Sequence, residues 1–240
     1  MSKSAHELTR KEMKGPDRFQ VAAADAASWM AKHQKQLAGA AIAVVVLAIG
    51  AAAASYMLDA RRTSTGALLS RAIAAAGGEV ASIPLPNLEQ PTYKTVEEKE
   101  RAVIDAASKV RERAGGTRAA ATAALLEADA HLALAEWDKA IASYQSYLGS
   151  APADDSLRFG GLDGLARAQE GKGDLDAAAK TYEKAAESAF FKDRATLERA
   201  RVLAKAGKRD EAKKALEAVP KESPLHAETQ ELLARLAANR

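Results

Sequence analysis

Three stretches of the chain read alike: Glu136-Trp137-Asp138-Lys139-Ala140-Ile141-Ala142-Ser143-Tyr144, Gly173-Asp174-Leu175-Asp176-Ala177-Ala178-Ala179-Lys180-Thr181-Tyr182 and Gly207-Lys208-Arg209-Asp210-Glu211-Ala212-Lys213-Lys214-Ala215-Leu216. Each is a turn followed by a helix start with an alanine at the same place. These landmarks, Ala140, Ala178 and Ala212, are separated by 38 and 34 residues. Other positions keep the register. Twelve residues before each landmark stand Ala128, Ala166 and Ala200, small enough to let one helix contact the next. Four after come Tyr144, Tyr182 and Leu216, large residues to fill the space between helix pairs. Twelve after come Pro152 and Pro224, which end the unit, with Phe190 in the middle copy. Thr196 and Arg199 stand where the third copy should be apolar, so that copy reads as degenerate. Ser223-Pro224 predicts a last helix to about Ala238, with a serine cap and a proline in the first turn.

Outward from the repeat, residues 118–240 read as helix after helix, with no strand-like alternation. Thr95-Val96-Glu97-Glu98 has the capping-box pattern and opens a helix to about Arg113, which Gly115-Gly116 stops. A period of 34 is that of the tetratricopeptide repeat. Over about 117–240 the chain resembles that family, although the tryptophan-rich early consensus is missing. The resemblance implies an all-α fold: a tetratricopeptide-like α-solenoid of about three helix pairs, closed by a terminal capping helix.

Ahead of the repeats lies Gln36–Leu58, QLAGAAIAVVVLAIGAAAASYML, without a charge. About 20 apolar residues cross a bilayer core of roughly 30 Å as a helix, so this run is read as a single N-terminal transmembrane helix. A cleaved secretory signal is the second reading, weakened by the 35-residue leader. A buried, alanine-rich core helix is the third. Seven Lys/Arg against four acids precede the run, which accounts for the whole net charge of +3. Positive flanks stay in the cytoplasm. Arg61, Arg62 and Arg71 oppose this count, but long domains translocate largely regardless of charge. The expected division is a cytoplasmic tail with a juxtamembrane helix over 1–35, the span over 36–58, a membrane-proximal helix and proline-rich linker over 59–94, and the repeat domain over 95–240, outside the cytoplasm. Residues 1 to about 17 read as disordered. Asp17 to Gln36 reads as a plain membrane-proximal helix or as an amphipathic one with Trp29, Lys32 and Lys35 at the headgroups. Asp59 to Ala76 is helix-compatible and ends at Gly77-Gly78; Pro84, Pro86 and Pro91 mark the linker.

This layout resembles that of the periplasmic ancillary subunit of the bacterial Sec translocon. The resemblance implies a single-pass protein of the bacterial inner membrane, with contacts to its lipid. Its periplasmic domain would bind secretory or envelope proteins, unfolded polypeptide segments or the translocon itself in a chaperone-like way. The alternative is a membrane-anchored scaffold for an envelope complex. No catalytic constellation is legible, so no enzyme activity, cofactor, metal or small-molecule substrate is expected, and no nucleic acid. The absence of cysteine removes disulfides, thiolate metal sites and lipid attachment through cysteine. His6, His33, His131 and His226 show no metal-ligand spacing, and His131 reads as a packed histidine. Gly160-Gly161 and Gly164 lack the flanks of a phosphate loop and read as small residues at a helix crossing. Asp154-Asp155 reads as a cap for the next helix. Lys192 to Lys214 carries nine Lys/Arg against four acids, a solvated surface or a basic face for acidic peptides or anionic headgroups.

In the family, the first helix of each pair lines a groove for the partner. Carried onto this chain, that implies Asp129, Arg167 and Arg201 at one offset from the landmarks. Leu125, Asp163 and Leu197 follow at a second, and Ala133, Gly171 and Lys205 at a third. The lysine and asparagine set that clamps a C-terminal carboxylate is missing, so peptide segments with apolar residues and scattered acids are the expected ligands.

Overall fold

The structure, a computed structural model, describes residues 18–81 and 91–238. Within its helices the side chains of Arg18, Gln20, Leu37, Ala38, Ala40, Ala41, Ile42, Val44, Val45 and residues 59–62 lie outside that description. The tail reading over 1–17 and most of the proline-rich linker therefore lie outside the described residues. In chain order the elements are α1 (Arg18–Lys32), α2 (Gln34–Ala76), β1 (Glu79–Val80), β2 (Thr92–Tyr93), α3 (Val96–Ala114), α4 (Arg118–Ala133), α5 (Trp137–Ser150), α6 (Arg158–Lys172), α7 (Leu175–Ala185), α8 (Lys192–Lys205), α9 (Arg209–Glu217) and α10 (His226–Ala238). The described residues are all-helical apart from the two-residue strands, and the chain divides into two compact units, Met1–Ala60 and Arg61–Arg240.

Among the described residues no helix is long and apolar enough to cross a membrane. The uncharged run lies within α2, and seven of its side chains, half of the branched aliphatic ones included, are outside the description. The stretch expected as a separate membrane-proximal helix is the C-terminal part of α2.

The repeat register holds. Ala140, Ala178 and Ala212 are fully buried, as are Ala128, Ala166 and Ala200. Tyr144, Tyr182 and Leu216 fill the spaces beside them and are among the largest fully buried side chains. Each landmark on the second helix of a pair is buried in one cluster with a small residue of the first, Ala140 with Ala128, Ala178 with Ala166 and Ala212 with Ala200. The helix pairs are thus α4–α5, α6–α7 and α8–α9. The last helix begins at His226, after a turn that Ser223 closes by accepting a hydrogen bond from the Leu225 N–H. Its Leu232, Leu233 and Leu236 pack on the α7–α9 core, as a terminal cap requires.

The turn inside each pair has one residue with positive φ, and it falls five positions before the landmark every time: Ala135 (55°), Gly173 (92°) and Gly207 (78°). Glycine meets this demand at no steric penalty, whereas an L-residue in the left-handed region costs roughly 1–2 kcal/mol. Repeat one alone carries that strain.

Ahead of the repeats, Leu68, Leu69 and Ala72 of α2 pack with Ala107 and Val110 of α3 and Ala123 of α4; Ala75 joins Val103 and Ala130. The repeat domain expected from 95 therefore shares its core with residues that far back. The helix α3 starts as its sequence predicts. Thr95 Oγ1 accepts from the Glu98 N–H at 3.0 Å, and Glu98 returns a bond to the N–H of Lys94, one residue before the cap. Where the sequence offers only a linker, Glu79–Val80 pairs in parallel with Thr92–Tyr93. Gly78 lies so close to the Tyr93 ring and the Pro91 carbonyl that a Cβ would meet them at 2.5 and 2.6 Å.

Candidate binding groove between α6 and α8

Two open clefts of about 300 Å³ each lie along the first helices of repeats two and three. One is lined by Asp163, Arg167, Tyr182, Arg194, Glu198 and Arg201. The other is lined by Arg167, Glu170, Gly171, Arg201 and Lys205. Five of the nine groove positions implied by the sequence are thus brought together: Asp163, Arg167, Gly171, Arg201 and Lys205.

The other four are placed elsewhere. Leu197 is a core residue, only 7 % exposed, packed with Ala166, Tyr182 and Leu203. Leu125 is half-buried against the Ala128, Tyr144 and Tyr147 clusters. Asp163, at the same offset, lines a cleft, so the two leucines are the ones taken up by the core, where an apolar side chain gains more from burial. Ala133 is exposed at the end of α4 and lines neither cleft. Asp129 accepts a 2.5 Å hydrogen bond from Tyr144 Oη.

That last contact recurs: Tyr182 Oη donates to Asp163 at 3.2 Å. Both carboxylates receive the hydroxyls of tyrosines whose rings are buried in the core. Burial pushes Tyr144 and Tyr182 well above the usual phenol range, with the neighbouring carboxylates adding to the effect. Burial also raises Asp129, against the lowering effects of the Tyr144 hydroxyl and the Arg167 charge.

Six of the nine basic residues of 192–214 are paired with acids in three dimensions. Arg201 places Nη1 and Nη2 on the two oxygens of Glu170 at 2.9 and 2.6 Å, and Nε on Glu198 at 2.8 Å. Lys205 also reaches Glu170, at 3.1 Å. Arg194 pairs with Glu198, Arg199 with Glu183, Lys208 with Asp176 and Lys213 with Glu217. Most of these acids lie outside the run, so counting charges along the run could not reveal them. Hydrogen bonds from Arg201 hold Glu170 below the usual carboxylate range, against its desolvation. Arg167 is different. It is exposed, it lines both clefts, and it makes no ion pair among the described residues.

The remaining candidates have structural roles. His131 is buried, with Nδ1 2.7 Å from Glu136 Oε2; Arg101 of α3 holds the other oxygen of Glu136 at 2.7 Å. These contacts tie α3 to the α4–α5 turn, and the Arg101 hydrogen bond is the main cause that takes Glu136 down to about 2. Gly161 and Gly164 are buried at a helix crossing: a Cβ on Gly161 would meet the Tyr147 ring at 2.5 Å, and one on Gly164 would overlap the Tyr144 ring. Gly171 similarly receives Trp137, so it serves helix packing as well as the cleft. Asp154-Asp155 does not cap α6, whose N-cap is Leu157 without a side-chain cap bond; Asp155 instead accepts from the Leu157 N–H and from Tyr147 Oη in the turn before the helix.

The family model of the tetratricopeptide repeat matches residues 171–236, from the end of α6 into α10. It covers the third helix pair, the one whose sequence departs most from the pattern. No curated protein matches the chain. Repeats of this type are protein–protein interaction modules, and the last helix pairs of this chain are similar to them.

Proposed function

We propose that the chain is a membrane-anchored binding protein whose repeats hold polypeptide segments of secretory or envelope proteins along α6 and α8. The observation that carries the reading is Arg167, an exposed guanidinium that lines both clefts and makes no ion pair among the described residues, beside charges that have partners. A segment that brings a carboxylate to Arg167 and apolar residues to the clefts gains an ion pair without breaking one. Contacts of this exposed kind contribute about 0–1 kcal/mol each, which suits capture and release. The chemistry on offer is binding, with no catalytic role for these residues.

The anchor reading rests on the 23 uncharged residues Gln36–Leu58 within α2 and on the exposure of Val46, Leu47, Ile49, Met57 and Leu58. The charge bias puts the tail in the cytoplasm of a bacterium and the repeats in the periplasm, beside the Sec translocon or an envelope complex. Protease added to intact spheroplasts then digests the repeats and spares the tail; survival of the repeats until the membrane is broken overturns the topology.

The groove is tested with Arg167→Glu in the full chain and a synthetic apolar peptide carrying two aspartates. Affinity falls about five- to tenfold while melting is unchanged. Unchanged affinity in a folded variant overturns the groove assignment. Arg201 is the wrong residue to reverse, because its loss strands Glu170.

A further inference from the structure

The helix α1 has a face that the peptide-binding reading leaves unused. Phe19, Ala22, Ala23, Ala26, Trp29 and Met30 recur at steps of three and four, so they share one side of the helix. Asp25, Ser28 and Lys32 fall on the other. Trp29 and Met30 are 54 % and 51 % exposed, and Phe19 78 %. The helical run is interrupted at His33, whose ring stacks on Trp29 at 4.5 Å and whose Nδ1 lies 2.8 Å from the Trp29 carbonyl. Lys32 and Lys35 flank this point, and the uncharged run starts at Gln36. Wherever that run goes, the end of α1 follows within about 6 Å of helical rise.

We infer that α1 lies in the plane of the lipid headgroups. Its Phe19–Trp29–Met30 face meets the acyl boundary, and Lys32 and Lys35 pair with the phosphates of anionic lipids. The inference rests on the anchor reading and adds a second, peripheral contact to it. Chain continuity and charge select lipid as the occupant. The face ends on an aromatic of the kind that favours the interface, Asp25 is the only acid in α1, and the covalent link holds the helix at the bilayer surface. Orientation follows from length. An upright α1 would carry Phe19 roughly 25 Å from Gln36, whereas a helix lying flat brings Phe19 and Trp29 to one depth.

The protein has two tryptophans, Trp29 and Trp137, which permits a direct test in the full chain. One reporter carries Trp137→Phe and keeps Trp29. The other carries Trp137→Phe, Trp29→Phe and Phe19→Trp. Both are reconstituted in phosphatidylethanolamine–phosphatidylglycerol vesicles containing a lipid brominated along its acyl chains. A face seated about 5–10 Å into the boundary is quenched at both positions, with a ratio near one. Replacing Lys32 and Lys35 by Glu lowers both signals. Quenching of Trp29 without the Phe19→Trp reporter means an upright helix and overturns the inference, as does the absence of quenching at both sites in protein that floats with the vesicles; in either case the anchor stands. Protein that fails to float with the vesicles overturns the anchor and this inference together.

Discussion

The joint between α5 and α6 and the joint between α7 and α8 occupy equivalent places in the repeat but are held by different chemistry. At the first, Tyr144, Tyr147 and Trp137 lie against the bare backbone of Gly164, Gly161 and Gly171. At the second, aliphatic packing of Leu175, Leu197 and Leu203 is framed by Arg199–Glu183, and the Arg201–Glu170–Lys205 cluster braces α8 on α6; the equivalent pairs Lys172–Asp138 and Lys208–Asp176 are common to both joints. The landmark alanines fix how closely helices approach, and side chains beyond that contact are free to change. One joint is specified by shape and the other partly by charge, so the two should answer to different perturbations.

The largest effect is expected at the ring-on-glycine joint. Gly164→Ala places a methyl inside the Tyr144 ring position and should destabilise by about 1–3 kcal/mol, the usual range for overpacking. Gly160→Ala, four residues earlier on the open side of the same helix, meets nothing within 4 Å and should stabilise by roughly 0.5–1 kcal/mol. Thermal melting of the two variants decides the matter; equal effects would mean that the close approach is not a constraint.

Next comes the charged joint. Glu170→Gln should cost about 1 kcal/mol at low salt and progressively less as salt is added. The pH dependence has a defined sign. Glu170 is depressed, chiefly by its hydrogen bonds from Arg201. Its contribution is therefore complete above the unfolded value of about 4.3 and is lost as pH falls through the folded value. Asp129 is raised by burial, so it carries a penalty at neutral pH that is relieved as pH falls through its own folded value. Acid unfolding below about pH 4 should be shallower in Glu170→Gln than in the wild type. The Asp129→Asn difference falls above its unfolded value of about 3.9, where the wild type gains stability on acidification and the variant does not.

Ala135→Gly removes the one strained turn and gives repeat one the residue its neighbours have. The gain is up to about 1 kcal/mol, because relief of the left-handed alanine is offset by the greater freedom of glycine in the unfolded chain. A gain the size of the experimental error would place the strain elsewhere. The smallest effects belong to Asp138→Asn and Asp176→Asn, whose partners Lys172 and Lys208 are exposed; neither should move the melting curve resolvably.

The register of the solenoid was legible because Ala140, Ala178 and Ala212 are all fully buried at equivalent helix contacts, where a small residue lets helices approach closely. The demand for positive φ was equally periodic in Ala135, Gly173 and Gly207, but the alanine in repeat one hides it from a search for glycine. The groove was half legible. Arg167 and Arg201 share an offset and a cleft, yet one is open to a ligand and the other is clamped by Glu170, 31 residues away in sequence. Charge pairing across helices leaves no periodic trace. Leu125 and Leu197 fell to the core because an offset fixes a face of a helix only to within a residue.

The parallel pairing of Glu79–Val80 with Thr92–Tyr93 changes what the intervening sequence can carry. The residues on either side of it are tied together by the bonds from Glu79 N–H to Pro91 O and from Ala81 N–H to Tyr93 O. Doubling the length of a flexible loop costs only about 0.6 kcal/mol. The segment between the two strands is thus a port for foreign sequence: a fluorescent domain, an epitope or a protease site can be spliced there with the register of α3 and of the repeats behind it left in place.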